Sequence, residues 1–368
     1  MGKREFLIIA AFVVIGVAAY QFTAPPPTEN NRGFSLGRFV DSIRREVRGN
    51  NAQATITRRD QIEAPATLDE LRIIGVTGQV TVTGEDRADI AYELQIGSSG
   101  PDTPTALQYA EKTVVKRDQL GPTLAIRITY PREARQTSTM TVRVPSRLAV
   151  RLEGGNRAEV TGVAAVHLES LIGDVQVRSV ARAVTGSHRN GTIVVASAGS
   201  IGMSINGSNA RFEKIAGGVT LNARGGEVVI DRPGGAIELD QNNEEITIIA
   251  PAGAVRVSGN GGRVVVDAPR QEVRIDVRRA EVEVTLRENT AVTVLTTEEP
   301  LRLIVAGTPS VVVDAIATDG GSINATDFGL TPETIESESR VSTTIGAAGG
   351  ARIGLRNQRG DIVIRKAK

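Results

Sequence analysis

Between Gly217 and Leu286 aliphatic and variable positions alternate on a nine-residue ruler. Stepping by nine from Gly217, the third place runs from Val219, Val228 and Ile237 to Val282. The fifth runs from Leu221, Ile230 and Leu239 to Val284, and every residue in both series is aliphatic. The residue between them is free to vary: Thr220, Val229, Glu238, Thr247, Arg256, Val265, Arg274, Glu283. In–out–in alternation over a few residues is the mark of a half-buried strand, and β-branched side chains suit a pleated, packed surface. Gly pairs such as Gly225–Gly226 and Gly261–Gly262 punctuate the strands, as corners that need positive φ require.

Short strands at fixed spacing without intervening helices predict an all-β fold, a parallel β-solenoid (β-helix-like) with strands repeating every nine residues. A sandwich or barrel of antiparallel hairpins has a similar spacing, but hairpin loops vary in length, whereas this register does not slip from Val219 to Val284. The sixth place bears on how many nines make a coil. With three, Asp240 would stack on Asp267 about 4.8 Å away, an unfavourable like-charge pair. With two, Asp240 stacks on Ser258 and Glu238 on Arg256, a favourable cross-strand pair. Eighteen-residue coils with two flat faces are therefore expected.

Away from this block the pattern is looser. Residues 54–160 form the N-terminal β-rich part, with alternating runs at Leu71–Val76, Gln79–Thr83 and Asp89–Ile96. One short helix is expected in "TPTALQYAEKTVV", opened by Pro104, with Leu107, Ala110 and Val114 at helical spacing. Residues 161–368 form the regular solenoid with its C-terminal cap. The strand Asp361–Ile364 is expected as the terminal rung, covered by the 326–340 segment or the basic tail, because open sheet edges need cover.

The amino-terminal residues add a membrane. Lys3 and Arg4 precede an apolar run from Phe6 to Tyr20, between a signal-peptide core and a full span in length. Residues 1–22 are read as an N-terminal transmembrane helix, a signal anchor in contact with membrane lipid; cleavage after Ala19 is the alternative. Either way the bulk of the chain leaves the cytoplasm and becomes extracytoplasmic; as an uncleaved anchor the segment places it on the cytoplasmic (inner) membrane as a single pass. Residues 23–53 make a Pro-rich spacer and a short basic amphipathic helix. Phe39, Val40, Ile43 and Val47 share its apolar face, suited either to anionic headgroups or to a plain lead into the fold.

Composition narrows the chemistry. The chain is 40% hydrophobic yet 3% aromatic without Trp, as a thin aliphatic interior requires. Its net charge of +1 advertises no nucleic-acid partner. With no Cys, disulfides, thiolate metal sites and Cys nucleophiles are excluded. The two histidines, His167 and His188, lie at no metal-ligand spacing and are read as packing or surface residues. Calcium-binding nonapeptides need Gly at the fourth place, which is never Gly here. No catalytic, cofactor-binding or metal residue is assigned.

Three segments in order, "LRIIGVTGQVTVTGED", "VRVPSRLAVRLEGG" and "RNQRGDIVIRKA", surround the Gly-punctuated array. Over roughly residues 65–366 the chain resembles the bacterial β-strand-repeat family of putative adhesins, a domain of unknown function. The resemblance implies an extracytoplasmic β-solenoid, often behind a single membrane anchor, with links to envelope stress in some members and no agreed catalytic residues.

The expectation is a non-enzymatic cell-envelope protein that presents its faces to an envelope protein, a surface polymer or a second copy of itself. The interaction surface is placed at Glu238, Arg256 and Arg274 on one face and at Val229 and Val265 on the other, the latter pair covered by residues 54–160 or by a partner. The alternative is a β-helix polysaccharide-degrading enzyme using clustered carboxylates. Asp231, Asp240, Asp267 and Asp276 are its candidates, spread about 9–10 Å apart in alternate rungs.

Overall fold

The computed structural model describes residues 52–132 and 135–367. The membrane anchor expected over 1–22, and nearly all of the spacer and basic helix that follow, lie outside the described residues. Among the described residues no helix is long and apolar enough to cross a membrane. The described chain is all-β, with one α-helix, and its strands join into one mixed hydrogen-bonded network.

In the middle of the chain the strands are β10 (Ala165–Ile172), β11 (Asp174–Ile215), β12 (Val219–Asp231), β13 (Ile237–Ile249), β14 (Val255–Asn260), β15 (Arg263–Asp267), β16 (Val273–Arg278), β17 (Glu281–Leu286), β18 (Val292–Thr297) and β19 (Leu301–Val305); they are numbered in chain order after nine that precede them. From β11 to β17 they pair in parallel with the strand two nines away; β18 and β19 lie nineteen residues beyond their partners β16 and β17. Val219 lies beside Ile237, Ile237 beside Val255 and Val255 beside Val273. On the second face Val228 lies beside Ile246, then Val264, then Val282. The third and fifth places are buried throughout, and the fourth points out. Two nines therefore separate neighbours, as the charge argument required: Asp240 meets Ser258, and Glu238 meets Arg256.

Each return of the chain turns two corners on left-handed residues. One corner repeats at Gly207, Gly225, Asn243, Gly261 and Arg279, the other at Lys214, Arg232, Ala250 and Ala268. Gly and Asn take this conformation readily; Lys, Arg and Ala take it at a cost of about 1–2 kcal/mol each, held by the ladders on either side. At Gly253 the constraint is contact instead, since a Cβ there would overlap the Gly235 backbone in the next coil.

At the amino-terminal end are β1 (Ala52–Glu63), β2 (Glu70–Ile74), β3 (Gln79–Glu85), β4 (Asp89–Gly100), α1 (Thr103–Glu111), β5 (Val114–Leu120), β6 (Thr123–Thr129), β7 (Gln136–Pro145), β8 (Ala149–Glu153) and β9 (Arg157–Thr161). β2 and β3 are sandwiched: β6 and β7 flank them on one side, β8 and β9 on the other, all in parallel. Beyond this stack the pairing turns antiparallel, β5 on β6 and β4 on β7, with β1 on β4. Helix α1 starts where Asp102 accepts a hydrogen bond from the Thr105 amide at 2.8 Å, a capping contact. Its buried face is Ala106 and Ala110; Leu107 is 40% exposed and Val114 already belongs to β5. Helical spacing found the element, but only the small side chains fit against β4.

The carboxyl-terminal end holds β20 (Val311–Thr318), β21 (Ile323–Asn324), a 3-10 turn (Thr326–Phe328), β22 (Glu333–Ile335), β23 (Glu338–Ile345), β24 (Ala351–Gln358) and β25 (Ile362–Lys366). Here the expected terminal rung is displaced. β24 pairs with β18 on one side and β20 on the other, and β25 lies between β19 and β21. The 351–366 coil is thus inserted inside the stack. The end is covered by β23, antiparallel to β20, with β22 antiparallel to β23. The purely parallel expectation therefore fails at both ends, because the outermost parallel strand leaves an unpaired ladder that a local hairpin can satisfy. One apolar cluster runs through the interior from Ala64 to Ile364.

Candidate interaction faces and a polar corner

The face carrying β12–β13–β14–β16 presents Thr220, Glu238, Arg256 and Arg274 as one outward row, with Asn222, Asp240, Ser258 and Asp276 as the next. Glu238, Arg256 and Arg274 are all exposed. Arg256 lies beside Glu238 on one side and Arg274 on the other, which places two like charges in adjacent rungs. Where the row gives way to Gly186, Gly202 and Ser204, the surface sinks into a shallow depression of about 420 Å³ edged by Glu238 and Asp240.

On the opposite face Val229, Thr247 and Val265 form one outward row, each half-buried. Residues 52–161 do not cover it. They continue the stack end to end through β8–β10 and β9–β11, and the two valines are shielded by their own neighbours. Arg263 lies in the next row and reaches Glu245, Glu281 and Glu283 at 4.0, 3.7 and 3.6 Å. Arg302 pairs with Glu281 one rung on. This face is thus a ladder of cross-rung ion pairs with an apolar strip beside it, and such partly exposed pairs contribute about 0–1 kcal/mol each.

The four carboxylates of the alternative reading stay apart. Asp240 and Asp276 are separated by Ser258, and Asp231 and Asp267 by Ile249; the two pairs lie on different faces. Asp231 is paired with Arg232 at 2.9 Å, and Asp267 meets Arg287 at 3.5 Å. Among the described residues no group of three or more His, Asp or Glu side chains converges on a metal position.

The interior holds chemistry that the alternation conceals. At the corner leading from the first face to the second, several coils turn a polar side chain inward. His188 is fully buried, with Nε2 2.7 Å from the Gly173 carbonyl and Nδ1 3.0 Å from Ser208 Oγ. Gln241 donates to the Gly261 carbonyl at 2.8 Å, Thr296 to Ala280 at 3.1 Å and Asn357 to Glu299 at 2.9 Å. These contacts satisfy corner carbonyls that the ladder leaves free. Burial holds the His188 imidazole below its ordinary value, so it stays neutral. His167 is pushed the same way, by burial and by the Arg151 charge.

Glu244 is the exception. It is 1% exposed and neither carboxyl oxygen has a protein hydrogen-bond partner. Its neighbours in the stack are Gly226, in register with it, and Gly262, where an added Cβ would overlap the Glu244 backbone. Burial alone pushes its carboxyl up to about 7, since desolvation penalises the charged form. Sequence reasoning missed this residue although a signal was present. The first place of the ruler reads Gly217, Gly226, Gly235, Glu244, Gly253, Gly262, and a lone Glu breaks a glycine series set by close backbone approach, since a Cβ at Gly235, Gly253 or Gly262 would overlap the coil beside it.

No family model matches the chain, and no curated protein does. Among solved structures, a putative adhesin from Parabacteroides merdae is 9% identical, covering 87% of this chain and 98% of its own at a TM-score of 0.28. A putative adhesin from Parabacteroides distasonis is 11% identical over 86% and 98%, at 0.25. A putative cell adhesion protein from Clostridium sporogenes is 10% identical over 85% and 100%, at 0.20. At such TM-scores these likenesses carry no argument about fold or function.

Proposed function

We propose that the chain is a non-enzymatic, adhesin-like envelope protein, whose stack is a parallel β-solenoid that presents two flat faces for binding or scaffolding. In this reading residues 1–22 anchor it in the cytoplasmic membrane as a single pass, and the strands stand outside the cytoplasm. The observation that carries the proposal is the eighteen-residue offset that the parallel ladders keep from β11 to β17, 219 to 237 to 255 to 273 on one face. The inward places keep one chemistry, while the outward rows change from Thr220 to Glu238 to Arg256 to Arg274. Such a scaffold is specialised for extended surface, and extended repeat surfaces suit partner recognition. The separated carboxylates, two of them paired with Arg, give no comparable support to glycoside hydrolysis.

The test is crosslinking in cells with the full chain tagged after Lys368, followed by recovery of what is attached. The reading expects one envelope protein in fixed ratio, or a surface polymer, with capture reduced by Arg256→Glu and Arg274→Glu. Catalytic release of new reducing ends from a surface polysaccharide by the purified chain would overturn it.

A further inference from the structure

The 351–366 coil fills a slot that the preceding chain leaves open. β18 and β19 are followed in sequence by β20 and β21, yet these do not pair with them; β24 and β25 lie between, in parallel with all four. Four inward side chains of the inserted coil, Ile353, Leu355, Ile362 and Ile364, are at most 1% exposed. Without the coil the slot shows two unpaired ladder edges on each wall and an apolar floor. Only a segment matching both faces at once closes it. A single added strand leaves half of the edges open.

The connection that delivers the coil is short. Ile345 and Ala351 lie on opposite sides of Val311, so residues 346–350 cross the start of β20 and span two strand spacings, about 9.6 Å. The crossing is pinned at Ser310, whose Oγ accepts from the Ala347 amide and whose carbonyl accepts from the Ala351 amide, both at 3.0 Å. Its sequence, Gly-Ala-Ala-Gly-Gly, can extend as readily as it can turn.

We propose that the slot is an exchange site for a second copy of this chain: the 351–366 coil of one molecule fills the slot of its partner, and the reverse, to give a two-fold dimer. Every ladder and every buried aliphatic contact is retained on exchange. The 346–350 segment and the protein concentration decide between the closed monomer and the exchanged dimer. The occupant is a second copy because the slot needs two strands, in this order, with Asn357 placed to donate to the Glu299 carbonyl and Arg356 to reach Asp314 at 2.6 Å. This chain carries that combination itself.

The chain has no Cys, so thiols can be placed without interference. Thr293 and Gly354 are register neighbours across β18 and β24, and a side chain at 354 meets open space. Full-length chains carrying Thr293→Cys alone and Gly354→Cys alone, one with a larger tag, are unfolded together, refolded at high concentration in detergent and oxidised. The expected product is a reductant-sensitive heterodimer of the two sizes, growing with concentration. Deleting residues 347–349 should shift the chain from monomer to dimer elution, because two residues barely span the crossing. Monomers at every concentration, or thiol pairs formed only between like variants, would overturn the proposal. The thiol result decides the matter even if the shortened chain does not fold.

Discussion

In the middle of the molecule, from β12 to β17, spatial order is sequence order, and every coil rests on the one made just before it. At both ends this breaks down. β2 and β3 are flanked by coils on both sides, and the 351–366 coil returns to sit inside the 311–324 pair. The difference follows from what a parallel stack lacks. In its interior each ladder is satisfied by the next coil. At its end the outermost strand has no successor, and at both ends the parallel stack gives way to antiparallel pairing, through β4 and β5 at one and through β23 and β22 at the other. The middle is specified by local repetition. The ends depend on contacts between segments far apart in sequence, and their stability should be separable from that of the middle.

The sharpest break between the two regions is expected from Ile362→Asp, which buries a charge in the inserted coil and should cost about 4 kcal/mol or more. Hydrogen exchange should then show lost protection over 311–366, with protection over 219–286 retained. Joint loss would show the ends and middle to be one cooperative unit.

Glu244 tests the middle alone. Its folded carboxyl, at about 7, holds a proton more tightly than the ordinary value of 4.5. The stability linked to it is therefore full below about 4.5 and is lost as pH rises to about 7, by about 3 kcal/mol. Between pH 4 and pH 8 the native chain's denaturant midpoints should fall relative to those of Glu244→Gln by that amount, the rise that the depressed His167 and His188 impose with pH being common to both. A native profile parallel to the variant's would mean that the carboxyl is solvated.

A smaller contrast comes from two glycines. Gly253→Ala should cost about 1–3 kcal/mol by forcing neighbouring coils apart, whereas Gly354→Ala, facing open space, should stay within about 0.5 kcal/mol. Equal melting temperatures would remove the close-stacking account of the middle. The smallest effect belongs to Arg263→Ala, about 1 kcal/mol or less, diminishing as salt is added; a larger loss would make the ion-pair ladder a main support of its face.

The middle was legible in the sequence because burial alternates with the residue and repeats with the coil, so Val219 and Val228 announce Ile237 and Ile246. Even the coil length could be read from Asp240 and Glu238. The ends were not legible for the same reason. Ile353 and Leu355 carry the same aliphatic pattern as Val273 and Ile275, and nothing in that pattern says which strand is a neighbour. The parallel expectation likewise could not foresee β23, since alternation is the same in either direction. Glu238, Arg256 and Arg274 were correctly placed outside. Glu244 was passed over because a charged residue reads as exposed unless the glycines around it are taken into account.

The polar corner has one further consequence. Coils filled with Val, Ile and Leu are nearly interchangeable, and a stack of them can be misaligned by a whole coil with little change in its apolar interior. The inward polar groups are less interchangeable. Thr296 donates to the Ala280 carbonyl and Asn357 to the Glu299 carbonyl, the same corner acceptor one coil along, so backbone acceptors of this kind survive a shift. His188 also needs the Ser208 hydroxyl, and the next coil offers Gly226 at that place. A stack displaced by one coil removes that contact, at about 1–3 kcal/mol for a buried group without a partner. Along one edge of an otherwise repetitive molecule, this one side chain acts as an address label for the coil that carries Ser208.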